Sequence, residues 1–132
     1  MAIKINAKAG GRNSVFDDVR ESLPVVSNKP TIIFGAHVSH PSAKDDSAAP
    51  SIASVVASQD WHEVSKYIGV VREQGHCEAI ISGLEDIVKD LLHAFEKESN
   101  KKPQQLIFYR DGISNGQFKQ VVEKEIPAIE KA

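Results

Sequence analysis

Two places in this chain combine residue types that can do chemistry with a setting able to present them. The first is LIFYRDGISNGQF, residues 106–118. Leu106, Ile107, Phe108 and Tyr109 make a short apolar, partly aromatic strand candidate that delivers the carboxylate of Asp111 to a turn, and Gly112 can adopt the positive φ a sharp turn needs. Ser114 and Gln117 have the S-x-x-Q spacing of a capping box, which predicts that a helix opens there. An acid at the C-terminal edge of a strand is where α/β folds commonly present chemistry, and it is equally a polar turn residue capping the helix that follows. The second place is His37 and His40, an H-x-x-H spacing. Two histidines make a zinc site only with further ligands and are otherwise loop residues or satisfied hydrogen-bond partners. His62, His76 and His93 add no recognisable ligand spacing.

The elements that must position these residues follow from periodicity. Residues 31–34 are a strand candidate, residues 40–50 have loop composition, and Ile52, Val55 and Val56 resume a strand, so the two runs are expected to pair as a hairpin. Tyr67, Ile68, Val70 and Val71 mark a third strand within residues 66–73. Ile80, Ile81, Leu84, Ile87, Val88, Leu91, Leu92 and Phe95 recur at three- and four-residue intervals, predicting a helix over 78–99 with one apolar stripe that needs a sheet to pack on. After the Asp111 strand, Phe118, Val121, Val122, Ile126 and Ile129 predict a second amphipathic helix with an interruption at Pro127. The expected order is β-β-β-α-β-α, an α/β class with a mixed sheet.

Composition narrows the function classes. A chain of 132 residues is the size of one domain. Its 16 Lys and Arg against 18 Asp and Glu give a formal net charge of −2, which argues against strong sequence-independent attraction to polyphosphate, so any contact with a polyanion must be local. Cys77 is the only cysteine, which leaves no internal disulfide and no cysteine-based zinc site and suits a reducing compartment. No apolar run approaches the ~20 residues of a spanning helix, so a soluble, cytoplasmic protein without membrane partners is expected.

Four segments, KINAKAGG (4–11), PTIIFGAHVSHP (30–41), PSIASVVASQDW (50–61) and LIFYRDGISNGQF (106–118), closely resemble the Argonaute family of plant type in order and spacing. The resemblance runs nearly end to end. It implies that residues 1–29 are the end of a Mid domain with a linker, that residues 30–132 are the N-terminal half of a Piwi domain, and that the fold is a partial ribonuclease H-like one. It also implies small-RNA-guided silencing, with guide RNA, target RNA and Argonaute-binding proteins as partners and a nuclear as well as a cytoplasmic location.

The same resemblance implies a broken catalytic pattern. Cleaving relatives use Mg²⁺ in a two-metal site, which needs several hard oxygen ligands. Their first acid lies in a motif like G-A-D-V-[ST]-H-P; here the segment is Gly35-Ala36-His37-Val38-Ser39-His40-Pro41, with His37 at the acid position. An imidazole suits zinc or iron better than magnesium and cannot bridge two Mg²⁺ ions as a carboxylate does. Their second acid lies in a motif like H-R-Q-E-I-I-Q-D-L, aligned with residues 76–84, where Ala79 takes its place. Glu78 is one residue away, and a one-residue step near a helix start turns a side chain by roughly 100°. Asp111 matches the third acid, and the fourth ligand falls C-terminal to residue 132 in relatives. One acid of four is retained, so no cofactor is expected. In the K-I-N-x-K-x-G-G motif, Lys4 and Lys8 match the lysines that hold a guide 5′-phosphate, and the two share a face whether the segment is a helix, as the resemblance implies, or a strand, as the alternation of Ile3, Ile5 and Ala7 suggests. Three readings result: a non-cleaving silencing protein with weak RNA binding, a metal-dependent endoribonuclease using Asp111 with unconventional ligands, and an interaction module that modulates silencing complexes.

Overall fold

A computed structural model describes residues 2–14, 23–42 and 49–132. Its elements are α1 (Ala2–Lys8), β1 (Thr31–Ser39), β2 (Ser51–Ser58), β3 (Tyr67–Gln74), α2 (Leu84–Ser99), β4 (Gln105–Arg110) and α3 (Phe118–Lys131). From β1 onward this is the β-β-β-α-β-α order that the periodicity predicts. The four strands form one sheet in the order β3-β2-β1-β4.

Cross-strand hydrogen bonds fix the directions. Between β1 and β2 the Ile33 amide donates to Ser58 Oγ (3.0 Å), Ser54 Oγ donates to the His37 carbonyl (3.3 Å), and His40 Nδ1 meets Ser51 Oγ (2.8 Å). Partner numbers fall in one strand as they rise in the other, so the pair is antiparallel. The same reversal links Gln59 with Lys66 and Ala49 with His76 across β2 and β3. In contrast, Pro30 pairs with Gln104 and Gln105, and Ala36 with Asp111, so β4 runs parallel to β1. The connection between them contains α2, as a parallel crossover requires.

The described chain divides into two compact units. One takes in residues 1–34, 56–68 and 91–107 and buries Ile32, Phe34, Ala57, Leu91 and Phe95. Trp61 Nε1 donates to the Val26 carbonyl (2.7 Å) there, and Lys101 Nζ sits 4.4 Å from the centre of the Trp61 ring. The other takes in residues 35–55, 69–90 and 108–132, with Ala36, Val38, Ala53, Val55, Ile81, Leu84, Ile87, Val88 and Val121 buried. Alternation along β1 is what makes this possible: even-numbered residues from Ile32 to Val38 are buried, whereas His37 and Ser39 are exposed.

Four local expectations change. β1 extends to Ser39, so the segment carrying His37 is strand rather than loop. The long helix begins at Leu84, not Glu78. Gly83 has a φ of +67°, a conformation that ends a helical run, and the preceding backbone is satisfied by a side chain instead. Gln74 Nε2 donates to the carbonyls of Glu78 (2.6 Å) and Ile80 (3.0 Å), and its Oε1 accepts from the Ser82 amide (3.3 Å). The Ser114–Gln117 pair forms, yet as a turn before the helix: Gln117 Oε1 accepts from the Ser114 amide (3.2 Å) and hydroxyl (2.9 Å), and the N-cap position is Gln117 itself. Finally, α3 continues through the exposed Pro127, which removes one amide donor without ending the helix. The linker predicted within residues 1–29 and the loop over 40–50 lie partly outside the described residues.

Candidate functional site

The parallel pairing of β1 with β4 decides what meets at their ends. The Asp111 amide donates to the Ala36 carbonyl (3.0 Å), which sets Asp111 beside His37. His37 Nδ1 stands 3.6 Å from Asp111 Oδ2, with side-chain exposures of 49% and 92%. Both groups are therefore open to solvent, and Asp111 Oδ1 accepts from the Gly112 amide (2.7 Å). Asp111 acts locally as a turn residue; it does not cap α3, which starts at Phe118. Gly112 is required twice over, because its φ is +73° and a Cβ there would come within 3.0 Å of His37 Cε1 and Nδ1.

The third matched position, Ala79, is tied to the same strand end through a residue that sequence reasoning passed over. Arg110 Nη2 donates to the Ala79 carbonyl (2.6 Å), and Nη1 donates to the carbonyl of Asp111. Arg110 Nε meets Glu125 Oε2 at 3.0 Å, with both side chains buried. Glu125 Oε1 also accepts from the Ile81 amide (3.0 Å). This one ion pair thus fastens the 79–81 loop, the end of β4 and helix α3 together. The available signal was Glu125 itself, four residues after Val121 and so on the apolar face of α3, where a carboxylate needs a partner.

Glu78 is turned into its own loop, where Oε2 accepts from the Gly75 amide (3.2 Å) and Oε1 from Ser82 Oγ (3.1 Å). The segment is not helical, so these hydrogen bonds, and not helical rotation, turn Glu78 away from the Ala79 position. His40 and His76 have the bonded roles described above, with Ser51 and with the Ala49 carbonyl. Cys77 is exposed and takes part in no disulfide.

The donor set does not fit a two-magnesium centre. One imidazole, one carboxylate and a methyl side chain occupy the three matched positions, and the main-chain carbonyl of Ala79 already accepts from Arg110. Among the described residues no group of three or more His, Cys, Asp or Glu is placed to hold a metal ion, so His62 and His93 add no ligand set.

In the other unit, the segment with Lys4 and Lys8 is helical, as the family resemblance implied, rather than a strand. The Gly11 amide donates to the Asn6 carbonyl (2.7 Å) and the Gly10 amide to the Ala7 carbonyl (3.2 Å), with Gly10 at φ +81°, a Schellman ending. Asn6 Nδ2 donates to Asn13 Oδ1 and Asn13 Nδ2 to the Ile3 carbonyl, both at 2.8 Å, which holds the following chain against the helix. Asn6 and the two glycines of the motif are thereby structural. Lys4 and Lys8 are left exposed, one turn apart.

Comparison with known proteins agrees with this architecture. The family model for the Piwi domain matches residues 1–132. Protein argonaute 18 of rice (Oryza sativa subsp. japonica) is 65% identical over 132 residues, covering all of this chain and 12% of that protein. Protein argonaute 5 of Arabidopsis thaliana is 48% identical over 146 residues, covering all of this chain and 14% of that protein. This chain therefore spans a small part of the length of the curated relatives it matches. Among solved structures, Kluyveromyces polysporus Argonaute with a guide RNA superposes with a TM-score of 0.81 at 30% identity, over 98% of this chain and 14% of that one. The C-terminal lobe of a budding yeast Argonaute gives 0.78 at 29% identity, over 98% of this chain and 26% of that one. The mixed sheet and its helices are the ribonuclease H-like fold of those structures. With the Piwi match running its full length and this likeness in sequence and fold, the chain belongs to the Piwi-domain family of Argonaute proteins.

Proposed function

We propose that this chain serves small-RNA-guided silencing as a Piwi-domain protein that engages RNA without cutting it. The observation that carries the reading is His37 facing Asp111 where the family resemblance puts two carboxylates. A neutral imidazole brings no charge and a single lone pair to such a site, so the paired hard-oxygen environment that magnesium prefers is not assembled. Guide RNA enters the proposal because the Kluyveromyces polysporus relative was solved with one. Lys4 and Lys8 are the proposed phosphate contacts, with residues 1–29 as the end of a Mid-type segment and 30–132 as the Piwi part. Target RNA would then pair with the guide.

The test is incubation of the protein with a 5′-phosphorylated guide and a complementary target in Mg²⁺ or Mn²⁺. An intact target is expected. Guide-directed cleavage that Asp111→Ala abolishes would establish the endoribonuclease reading instead, and because Asp111 is 92% exposed that substitution leaves the core untouched.

The interaction-module reading has its own support. Phe108, Ile113, Phe118, Val122, Ile126 and Ile129 line an open cleft of about 490 Å³ beside α3, and Phe118 is 63% exposed. Apolar surface of this kind suits a protein partner. Absence of RNA binding in the experiment on Lys4 and Lys8 below would favour it.

A further inference from the structure

We propose that Asn115 is a site of spontaneous deamidation, which installs a second carboxylate on the turn following Asp111. Asparagines stand at positions 6, 13, 28, 100 and 115, and Asn115 alone is followed by glycine. In the reaction the amide nitrogen of the next residue attacks the asparagine Cγ, loses its proton, and expels ammonia to leave a five-membered succinimide. Water then adds to either ring carbonyl, giving aspartate or, with the backbone rerouted through the side chain, isoaspartate. No oxidation or reduction is involved. A side chain on the attacking residue crowds ring closure, and glycine has none.

The geometry supplies what the dipeptide alone cannot. The Gln117 amide donates to the Ser114 carbonyl (2.9 Å), which closes a turn with Asn115 and Gly116 at its two central positions. Both are exposed, and a Cβ built on Gly116 would meet nothing within 4 Å, so neighbouring groups leave room for the ring. The hydrogen bonds of the turn use the amides of Ser114 and Gln117, not the Gly116 nitrogen. Asn13 is the contrasting case: its side chain is held on both sides, by Asn6 and by the Ile3 carbonyl, and Ser14 follows it.

The product changes the site. Asn115 lines the same cleft as Arg110 and Asp111, so aspartate there adds one negative charge beside the retained acid. Isoaspartate adds a backbone carbon as well, which the Ser114–Gln117 turn cannot accommodate unchanged.

The experiment ages the full chain at mildly alkaline pH and physiological temperature and follows tryptic peptides by mass spectrometry. The peptide spanning 111–119 should gain about 1 Da, the exchange of an amide for an acid. It should split into two chromatographic forms, one of which isoaspartyl methyltransferase labels. Gly116→Ala should slow the gain at least about tenfold, and Asn115→Gln should abolish it, while the peptides holding Asn13 and Asn100 stay unchanged. An unchanged 111–119 peptide in the folded chain, when the same free peptide converts, would overturn the proposal. So would conversion of Gly116→Ala at the parent rate.

Discussion

Arg110 Nε lies 3.0 Å from Glu125 Oε2 in a buried ion pair, and the same guanidinium donates to the carbonyls of Ala79 and Asp111, two of the three positions that the family resemblance matches to acids. His37 follows from the β1–β4 pairing, Asp111 is the next residue in the chain, and Ala79 is gripped by the guanidinium. The three positions that the resemblance matches to acids thus lie on one scaffold, and Asp111 is the one carboxylate among them.

That pair yields a stability prediction. Glu125→Leu strands the Arg110 charge in a buried position and removes the acceptor for the Ile81 amide, so a loss of about 3–5 kcal/mol is expected. Glu125→Gln keeps an acceptor and should cost about 1–3 kcal/mol. Arg110→Met combined with Glu125→Leu should recover the part of the loss that comes from the unpaired charge, while the Ile81 amide still lacks its acceptor. Urea titrations measure all three, read as midpoint shifts at constant slope. If Glu125→Leu were as stable as the parent, the ion pair would not be buried in solution.

The contact between His37 and Gly112 makes a second prediction. Gly112→Ala forces a side chain into the left-handed region, costing about 1–2 kcal/mol, and presses on the His37 ring as well. Adding His37→Ala should relieve only the second part, so the two substitutions couple by about 0.5–1 kcal/mol in a double-mutant cycle. Gly116→Ala is the control, with open space and no positive φ, and should fall within about 0.5 kcal/mol of the parent. Strict additivity of Gly112→Ala and His37→Ala would show that ring and turn do not touch.

These two cases mark where the sequence could and could not be read. Gly112 was legible because a glycine after an acid at a strand end has one obvious use, and the order of elements along the chain was legible because period-two and helical stripes are local signals. The start of α2 was not, since Ile80 and Ile81 continue the apolar spacing while Gln74, upstream in sequence, decides their conformation by hydrogen bonding. The Arg110–Glu125 pair was hidden for the same kind of reason: its partners are 15 residues apart, and only the packing of α3 against β4 joins them. For the lysines the family resemblance favoured a helix and the alternation of Ile3, Ile5 and Ala7 a strand; the Schellman ending at Gly10 fits the former.

A third prediction concerns acid. Hydrogen bonds from Lys89 first and Lys131 second hold the Glu85 carboxyl below the usual carboxylate range. A carboxylate whose folded pKa is lowered adds stability above its unfolded pKa and loses it as pH falls through the folded value. The parent should therefore resist urea better than Glu85→Gln at neutral pH, and the difference should vanish in strong acid. Added salt should shrink it at neutral pH too, because these pairs are at the surface. A gap between parent and variant that persists unchanged below the carboxylate range would assign it to packing rather than charge.

The last prediction tests the lysines. α1 presents Lys4 and Lys8 one turn apart with no buried residue on the helix, so replacing both should leave the fold intact and change only what the surface binds. Two ammonium groups can neutralise about two phosphate charges, and counterion release then gives a shallow decline of affinity with salt. The protein as a whole carries a net charge of −2 and offers little nonspecific attraction to compensate. Single-stranded RNA should accordingly bind weakly, more tightly with a 5′-phosphate than with a 5′-hydroxyl. Fluorescence anisotropy at two salt concentrations, with the parent and a Lys4→Ala/Lys8→Ala variant, separates the terms. Loss of the 5′-phosphate preference in the variant, with residual binding to both RNAs retained, is the expected pattern. Equal binding of both RNAs by both proteins would mean that the helix keeps the motif's Asn6–Gly10–Gly11 architecture without its phosphate contact, and would move the chain to the interaction-module reading.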